Sequence, residues 1–356
     1  MKRMRYFLSV VLLLLSIALK AQIKVNNVAE ILAAVKVAKA GDIILVKGGE
    51  YKFDVRINLN SSGTAEKPIK LMAADLANRP KFDFSAQLEA DANQGIALRG
   101  SYWHLKGIDI YNAGDNGLII NGGSYNVIEF CTFSECADTG LQISGGATQN
   151  LILNCDSYFN ADAKVENADG FACKLDAGTG NTFNGCRAWQ NLDDGWDGYL
   201  KKTDNITTTY ENCWAFLNGM LKDGTAGKGD GNGFKSGGSD DKLLKHHAVY
   251  KNCIAAANLK KGFDHNSNRG EVTLLNCLAF DNKQSNMGFG SKNPLAKLTI
   301  KNTQVIGEVG SLNADVTDIS NNSWQKPTAK QKVLNIQDLL KPRQADGSLP
   351  HISFFD

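Results

Sequence analysis

Three carboxylates fall within one short turn, Asp193-Asp194-Gly195-Trp196-Asp197, and a fourth opens the related phrase Asp169-Gly170-Phe171. Carboxylates crowded in this way repel one another unless they are protonated or neutralised by a cation. An all-oxygen donor set suits Ca²⁺ better than Zn²⁺, for which the chain shows no Cys/His pair at ligand spacing. The plain alternative is a solvated acidic turn. A basic group accompanies the acids: Lys235 ends Gly231-Asn232-Gly233-Phe234-Lys235, directly after a Gly/Lys/Asp-rich stretch from Met220 to Asp230. A lone lysine on a strand is ordinarily surface. Beside a bound cation its protonated form is disfavoured, and it can serve as a neutral base at mildly alkaline pH.

These residues are positioned by a repeat. Five copies of the phrase [Asn/Gly]-Cys-x-[Ala/Ser]-x-x-Asn begin at Asn154, Gly185, Asn212, Asn252 and Asn276. The spacing is that of solenoid coils, with one enlarged coil between Cys213 and Cys253. A second phrase alternates with the first, as Gly117-Leu118, Gly140-Leu141, Gly170-Phe171, Gly195-Trp196, Gly233-Phe234, Gly262-Phe263 and Gly288-Phe289. Between them lie β-prone runs of strand length, such as Leu151-Ile152-Leu153 and Thr273-Leu274-Leu275. The pattern predicts an all-β, right-handed parallel β-helix, a solenoid whose equivalent residues stack about 4.8 Å apart. Cysteines then form a buried column, read as free thiols in preference to disulfides, and asparagines a turn ladder. An amphipathic segment from Val28 to Ala38 is expected as an N-terminal capping helix, ahead of a first clear strand at Gly41 to Val46.

In this register the residue before each glycine runs Asn116, Thr139, Asp169, Asp194, Asn232, Lys261, Met287. The residue two after it runs Ile119, Gln142, Ala172, Asp197, Lys235, Asp264, Gly290. Charge collects on the middle coils, and Lys235 stands one rung from Asp197, about 5 Å away along the backbone stack. The glycine interrupts strict alternation, so which carboxylates face one another stays open at this level. The enlarged coil places the Met220–Asp230 stretch as an overhanging loop, and long loops on rigid scaffolds commonly carry function.

Residues 1–21 carry Lys2, Arg3 and Arg5 followed by an apolar run from Phe7 to Leu19, the order of a secretory signal peptide, so export is expected. The run is shorter than a spanning helix and no second one follows, so no membrane span is expected. Residues 22–320 read as one catalytic β-helix without an internal linker, and 321–356 as a less regular tail packing on or capping it. The 39 basic and 37 acidic residues nearly cancel, which argues against bulk phosphate recognition and nucleic-acid binding. A monomer is expected.

The stretches Asn167-Ala168-Asp169-Gly170-Phe171-Ala172, Gly185-Cys186-Arg187-Ala188-Trp189, Asp193-Asp194-Gly195-Trp196-Asp197, Gly231-Asn232-Gly233-Phe234-Lys235 and Lys261-Gly262-Phe263-Asp264 resemble the pectate lyases of polysaccharide lyase family 9. The resemblance is good from Asn121 to Thr303. It implies that Asp169, Asp193, Asp194 and Asp197 bind Ca²⁺ and that Lys235 is the Brønsted base in a β-elimination on an acidic pectic polysaccharide. Lys261, Asn266 and Arg269 are candidates to hold further substrate carboxylates and hydroxyls. A rhamnogalacturonan I lyase is the near alternative, because both substrates offer a galacturonate with an acidic C5 proton. A glycoside hydrolase using Asp193 and Asp194 as acid and base lacks the accompanying Gly-His and Arg-x-Lys phrases. A non-catalytic, Ca²⁺-stabilised carbohydrate-binding solenoid would need neither Lys235 nor the loop.

Overall fold

A computed structural model of the chain describes residues 22–325 and 334–352, so the leader assigned to 1–21 lies outside the described residues. Strands of two to seven residues assemble into three sheets of 12, 10 and 10 strands, all pairings between strands being parallel. Each coil contributes one strand to each sheet, and every second side chain points inward. One such inward column runs Ile44, Leu71, Leu105, Ile128, Ile152, Phe183, Tyr210, Tyr250, Leu274 and Ile300, each paired with the next and each fully buried. Burying such rows on both neighbours supplies the hydrophobic driving force that a single coil could not muster.

The repeated phrases have distinct physical causes. The residue ahead of each cysteine of the repeated phrase adopts a left-handed backbone, with φ of 52–55° at Asn154, Asn212, Asn252 and Asn276 and 66° at Gly185, and Asn302 ahead of Thr303 does the same at 52°. Asparagine and glycine tolerate that region best, which accounts for the [Asn/Gly]-Cys pair. The cysteines themselves are free and buried, and Cys155, Cys186, Cys213 and Cys253 each turn Sγ toward a carbonyl of the preceding coil at 3.3–3.4 Å. Cys136 and Cys173 stand outside this column: the Cys136 N–H donates to Asn160, so Cys136 occupies the rung below the first ladder asparagine.

That ladder is continuous. Asn160, Asn191, Asn218 and Asn258 each donate from Nδ2 to the Oδ1 of the next, at 2.8–3.0 Å, ending on Asn282, inside a buried turn. The glycines of the second phrase lie directly against it. A Cβ on Gly170, Gly195, Gly233 or Gly262 would come within 2.7–2.8 Å of a ladder Nδ2, so both motifs are two sides of one contact. A second ladder, Asn126 to Asn150 to Asn181 at 3.0 Å, closes another corner and has no counterpart in the sequence reading.

The helix Val28–Val37 covers the first coil with Ile31, Ala34 and Val35 buried, its N-terminus capped by Asn27 accepting from the Glu30 N–H. A strand Gln22–Val25 precedes it and pairs with Ile43–Val46, one element earlier than the first strand expected from sequence. The coil carrying Ser285–Phe289 also departs from the sequence register. Phe263 pairs with Met287 and Asp264 with Gly288, a two-residue shift from the expected Gly288-Phe289 alignment. A shift of two keeps the same side chains inward, and both Met287 and Phe289 are buried, so hydrophobic patterning could not distinguish the two registers.

The segment 334–352 packs along the flank of the solenoid, not over its end, with Leu334, Leu339 and Ile352 on Trp214, Phe216, Ile254 and Leu278. Arg343 and Arg187 both bridge to Asp156 at 2.7–2.8 Å, and these guanidinium groups hold the Asp156 carboxyl down at about 2 against its burial. A depressed folded-state value contributes stability above the unfolded carboxylate range, near 4, that is lost as pH falls toward 2. Acid titration should therefore release the tail, read as increased proteolysis at 334–352, and Asp156→Asn should abolish that pH dependence. Asn218→Ala, which breaks the ladder in mid-column, should lower unfolding stability by about 2–3 kcal/mol in urea denaturation; a change below about 0.5 kcal/mol would show the ladder to be incidental.

Candidate active site

Four neighbouring strands of one 10-stranded sheet build the site: Phe171–Cys173, Trp196–Asp197, Phe234–Lys235 and Lys261–Asp264. Phe171, Trp196, Phe234 and Phe263 turn inward and stack in sequence with centroids 4.8–5.1 Å apart. Such a stack fixes the adjacent positions, and alternation sends Ala172, Asp197, Lys235 and Asp264 to the outer face in that order. Asp169, Asp193 and Asp194 come from the bends just before these strands. Asp169 Oδ1 accepts from the Asp194 N–H at 3.2 Å, and Asp194 Oδ1 accepts from the Asn232 N–H at 2.7 Å, so successive coils hold one another's acids in place.

All five predicted chemical residues are brought together and shielded, with exposures of 0 % at Asp169 and Asp194, 6 % at Asp197, 7 % at Lys235 and 9 % at Asp193. One carboxylate oxygen from each of Asp169, Asp193 and Asp194 lies within 4.8 Å of the others, an arrangement able to hold a metal ion. Asp197 stands beside this triad. Its oxygens accept from the Tyr199 N–H at 3.1 Å and lie 3.6 Å from Lys174 and from Lys235.

Two groups in the cluster escaped the sequence reading. Lys174 reaches Asp169 Oδ2 at 2.6 Å, and Asp230 Oδ2 lies 3.1 Å from Lys235 Nζ. The alternation that sends Ala172 outward also carries Lys174 to that face, which is the signal that could have found it. Asp230 is placed by the fold of the overhanging loop and had no such signal.

Five carboxylates thus face two ammonium groups, Lys174 and Lys235. Burial pushes Asp194 and Asp169 upward, and burial together with Asp169 takes Asp193 up to about 7. At Asp197 burial acts the same way but is outweighed by Lys235 and Lys174, leaving it lowered. Burial opposes the charge on Lys235, yet Asp194, Asp197 and Asp193 overcome it and favour the protonated amine. Asp194 Oδ2 is buried without a directed hydrogen bond, although Lys235 Nζ lies 3.0 Å away. Crowded carboxylates, oxygen-only donors and a buried Asp194 Oδ2 that no hydrogen bond ties down together fit a hard divalent cation.

Of the three substrate candidates, Lys261 and Asn266 line a cavity of about 180 Å³ together with Asp230, Asn232 and Asp264. Lys261 Nζ is held by Asp264 at 2.9 Å. Arg269 does not line it: its guanidinium is committed to the Pro294 carbonyl and to Asp315. The sequence placed Arg269 on the right coil, but the turn after Asn268 carries it to a different corner.

Residues 17–302 match the family model described as Pel9A-like, right handed beta helix region. The chain belongs to this family, the pectate lyases of polysaccharide lyase family 9. It is 38% identical over 340 residues to pectate lyase L of Paenibacillus polymyxa, covering 89% of this chain and 74% of that one. The crystal structure of pectate lyase Pel9A superposes with a TM-score of 0.82 at 34% identity, covering 91% of this chain and 82% of the other. A rhamnogalacturonan lyase follows at 0.78 and 27% identity, covering 91% and 90%. This β-helix is a polysaccharide lyase.

Lys174 makes a sharp test of the electrostatics. Lys174→Met strips Asp169 of its ion pair in a site nearly closed to water, and in chelator it should cost about 3 kcal/mol of unfolding stability by urea denaturation. An unaltered midpoint would mean that Lys174 compensates nothing.

Proposed function

We propose that this protein is a Ca²⁺-dependent pectate lyase that cleaves galacturonate-containing pectic polysaccharide by β-elimination, with Lys235 as the base. The observation that carries the proposal is the placement of Lys235 Nζ at 3.0 Å from Asp194, against a buried carboxylate triad and beside an open cavity. Asp169, Asp193 and Asp194 would hold the ion, with Asp197 as the fourth proposed ligand. When bound, Ca²⁺ supplies positive charge that pairs with the uronate carboxylate and makes the C5 proton more acidic. It also offsets the acids that keep Lys235 protonated, favouring the neutral amine.

The remaining chemistry belongs to the chain. Lys235 takes the C5 proton onto Nζ, and the C5–H electron pair becomes the C4=C5 double bond as the C4–O4 bond breaks. The departing O4 takes a proton from water, and the product is an unsaturated uronide. The walls around Lys235 keep competing water from the amine, and the Phe171–Trp196–Phe234 stack beneath fixes the strand that carries it. Lys261 and Asn266 offer donors for neighbouring sugars in the same cavity. The leader-like residues 1–21 support export, and a monomer is the proposed state.

Rhamnogalacturonan I is the second reading, favoured by the likeness to a solved rhamnogalacturonan lyase. Incubation with polygalacturonate and with rhamnogalacturonan I, with and without chelator, should give ultraviolet absorbance of the unsaturated product, greater on polygalacturonate and lost with chelator. Reducing ends without that absorbance would rule out elimination. Lys235→Ala should lower turnover by about a hundredfold or more while Ca²⁺ binding by calorimetry persists.

A further inference from the structure

Lys235 Nζ has three acidic neighbours, and they are not equivalent. Asp194 and Asp197 belong to the buried cluster and draw the amine inward. Asp230, at 3.1 Å, comes from the overhanging loop, and its side chain is 60 % exposed. It is the neighbour that also lines the cavity holding Lys261 and Asn266.

The loop is seated closely on the acidic turn. The Asp230 N–H donates to Asp193 Oδ1, and the Gly231 N–H approaches the same oxygen at 3.3 Å. A Cβ on Gly229 would meet Asp193 Oδ1 at 2.6 Å, and one on Gly227 would meet the Leu192 side chain at 2.6 Å and its carbonyl at 2.8 Å, so glycine is what lets the loop come this near. The Gly227 N–H bonds the Gly219 carbonyl at 2.8 Å and the Lys228 N–H bonds the Val165 carbonyl at 2.9 Å, which fixes the chain just ahead of Asp230.

We propose that Asp230 is a positioning residue: its main chain holds Asp193 in the carboxylate cluster while its carboxylate, which lines the cavity, draws Lys235 Nζ toward it. The inference rests on the reading of Lys235 as the base and adds to it the device that aims the amine. A lysine side chain has four rotatable bonds, and with only Asp194 and Asp197 as partners it would settle into the acidic interior. Asp230 supplies the outward pull. Because misplacing a reacting group is costly, loss of this contact acts on turnover more than on substrate affinity.

The test uses the full chain at saturating Ca²⁺ on polygalacturonate. Asp230→Ala should lower kcat by about tenfold or more, with KM and Ca²⁺ affinity by calorimetry each within about threefold, because the main-chain bond to Asp193 survives. Asp230→Glu, which restores a carboxylate, should recover most of kcat. If Asp230→Ala does not fold, Asp230→Asn gives the same readout with the side chain's size kept. An unchanged kcat, a loss that follows Ca²⁺ affinity, or a loss that Asp230→Glu does not recover overturns the assignment. Lys235→Ala that retains turnover overturns the base reading instead, which keeps the two failures apart.

Discussion

Everything in this molecule depends on one constraint, the requirement that each coil sit on the next in parallel register with no room between their turns. The asparagine ladder from Asn160 to Asn282 and the glycines at 170, 195, 233 and 262 enforce it together. An asparagine buried in the turn must satisfy its amide, and the residue one coil away is the partner that does so. A side chain on the facing glycine would push that partner off. The same contact that closes the core therefore sets the height of every outward residue on the site sheet, Asp197 and Lys235 included.

Upon that scaffold the chain accumulates charge it cannot neutralise alone. Four carboxylates and two ammonium groups are packed where solvent scarcely enters, with a fifth carboxylate, the exposed Asp230, at the rim. Isolated ions would be expelled from such a place or lose their charge; here successive coils hold the acids in position by main-chain N–H groups at Asp194 and Asn232, while burial still pushes Asp169, Asp193 and Asp194 toward the neutral form. A divalent cation held by this cluster, as proposed for Ca²⁺, would relieve the repulsion among the acids. The proposed Ca²⁺ ligands and the proposed base, Lys235, are thus one electrostatic unit rather than two adjacent sites.

The sequence by itself determined the coil count of the central region, the cysteine and asparagine columns and the neighbourhood of Asp169, Asp194, Asp197 and Lys235, because a period-bound solenoid converts spacing along the chain directly into position in space. Where the period slackens, that conversion fails. The shift at Met287, the strand Gln22–Val25 and the Asn126–Asn150–Asn181 ladder were not legible, since inward parity survives a two-residue slip and single asparagines carry no signature. Only the tertiary structure decided that Arg269 turns away, that Lys174 enters the cluster and that Asp230 folds back from the enlarged coil onto Lys235. Those three depend on side-chain direction and loop path, which are set by packing against other coils and not by any interval within the chain.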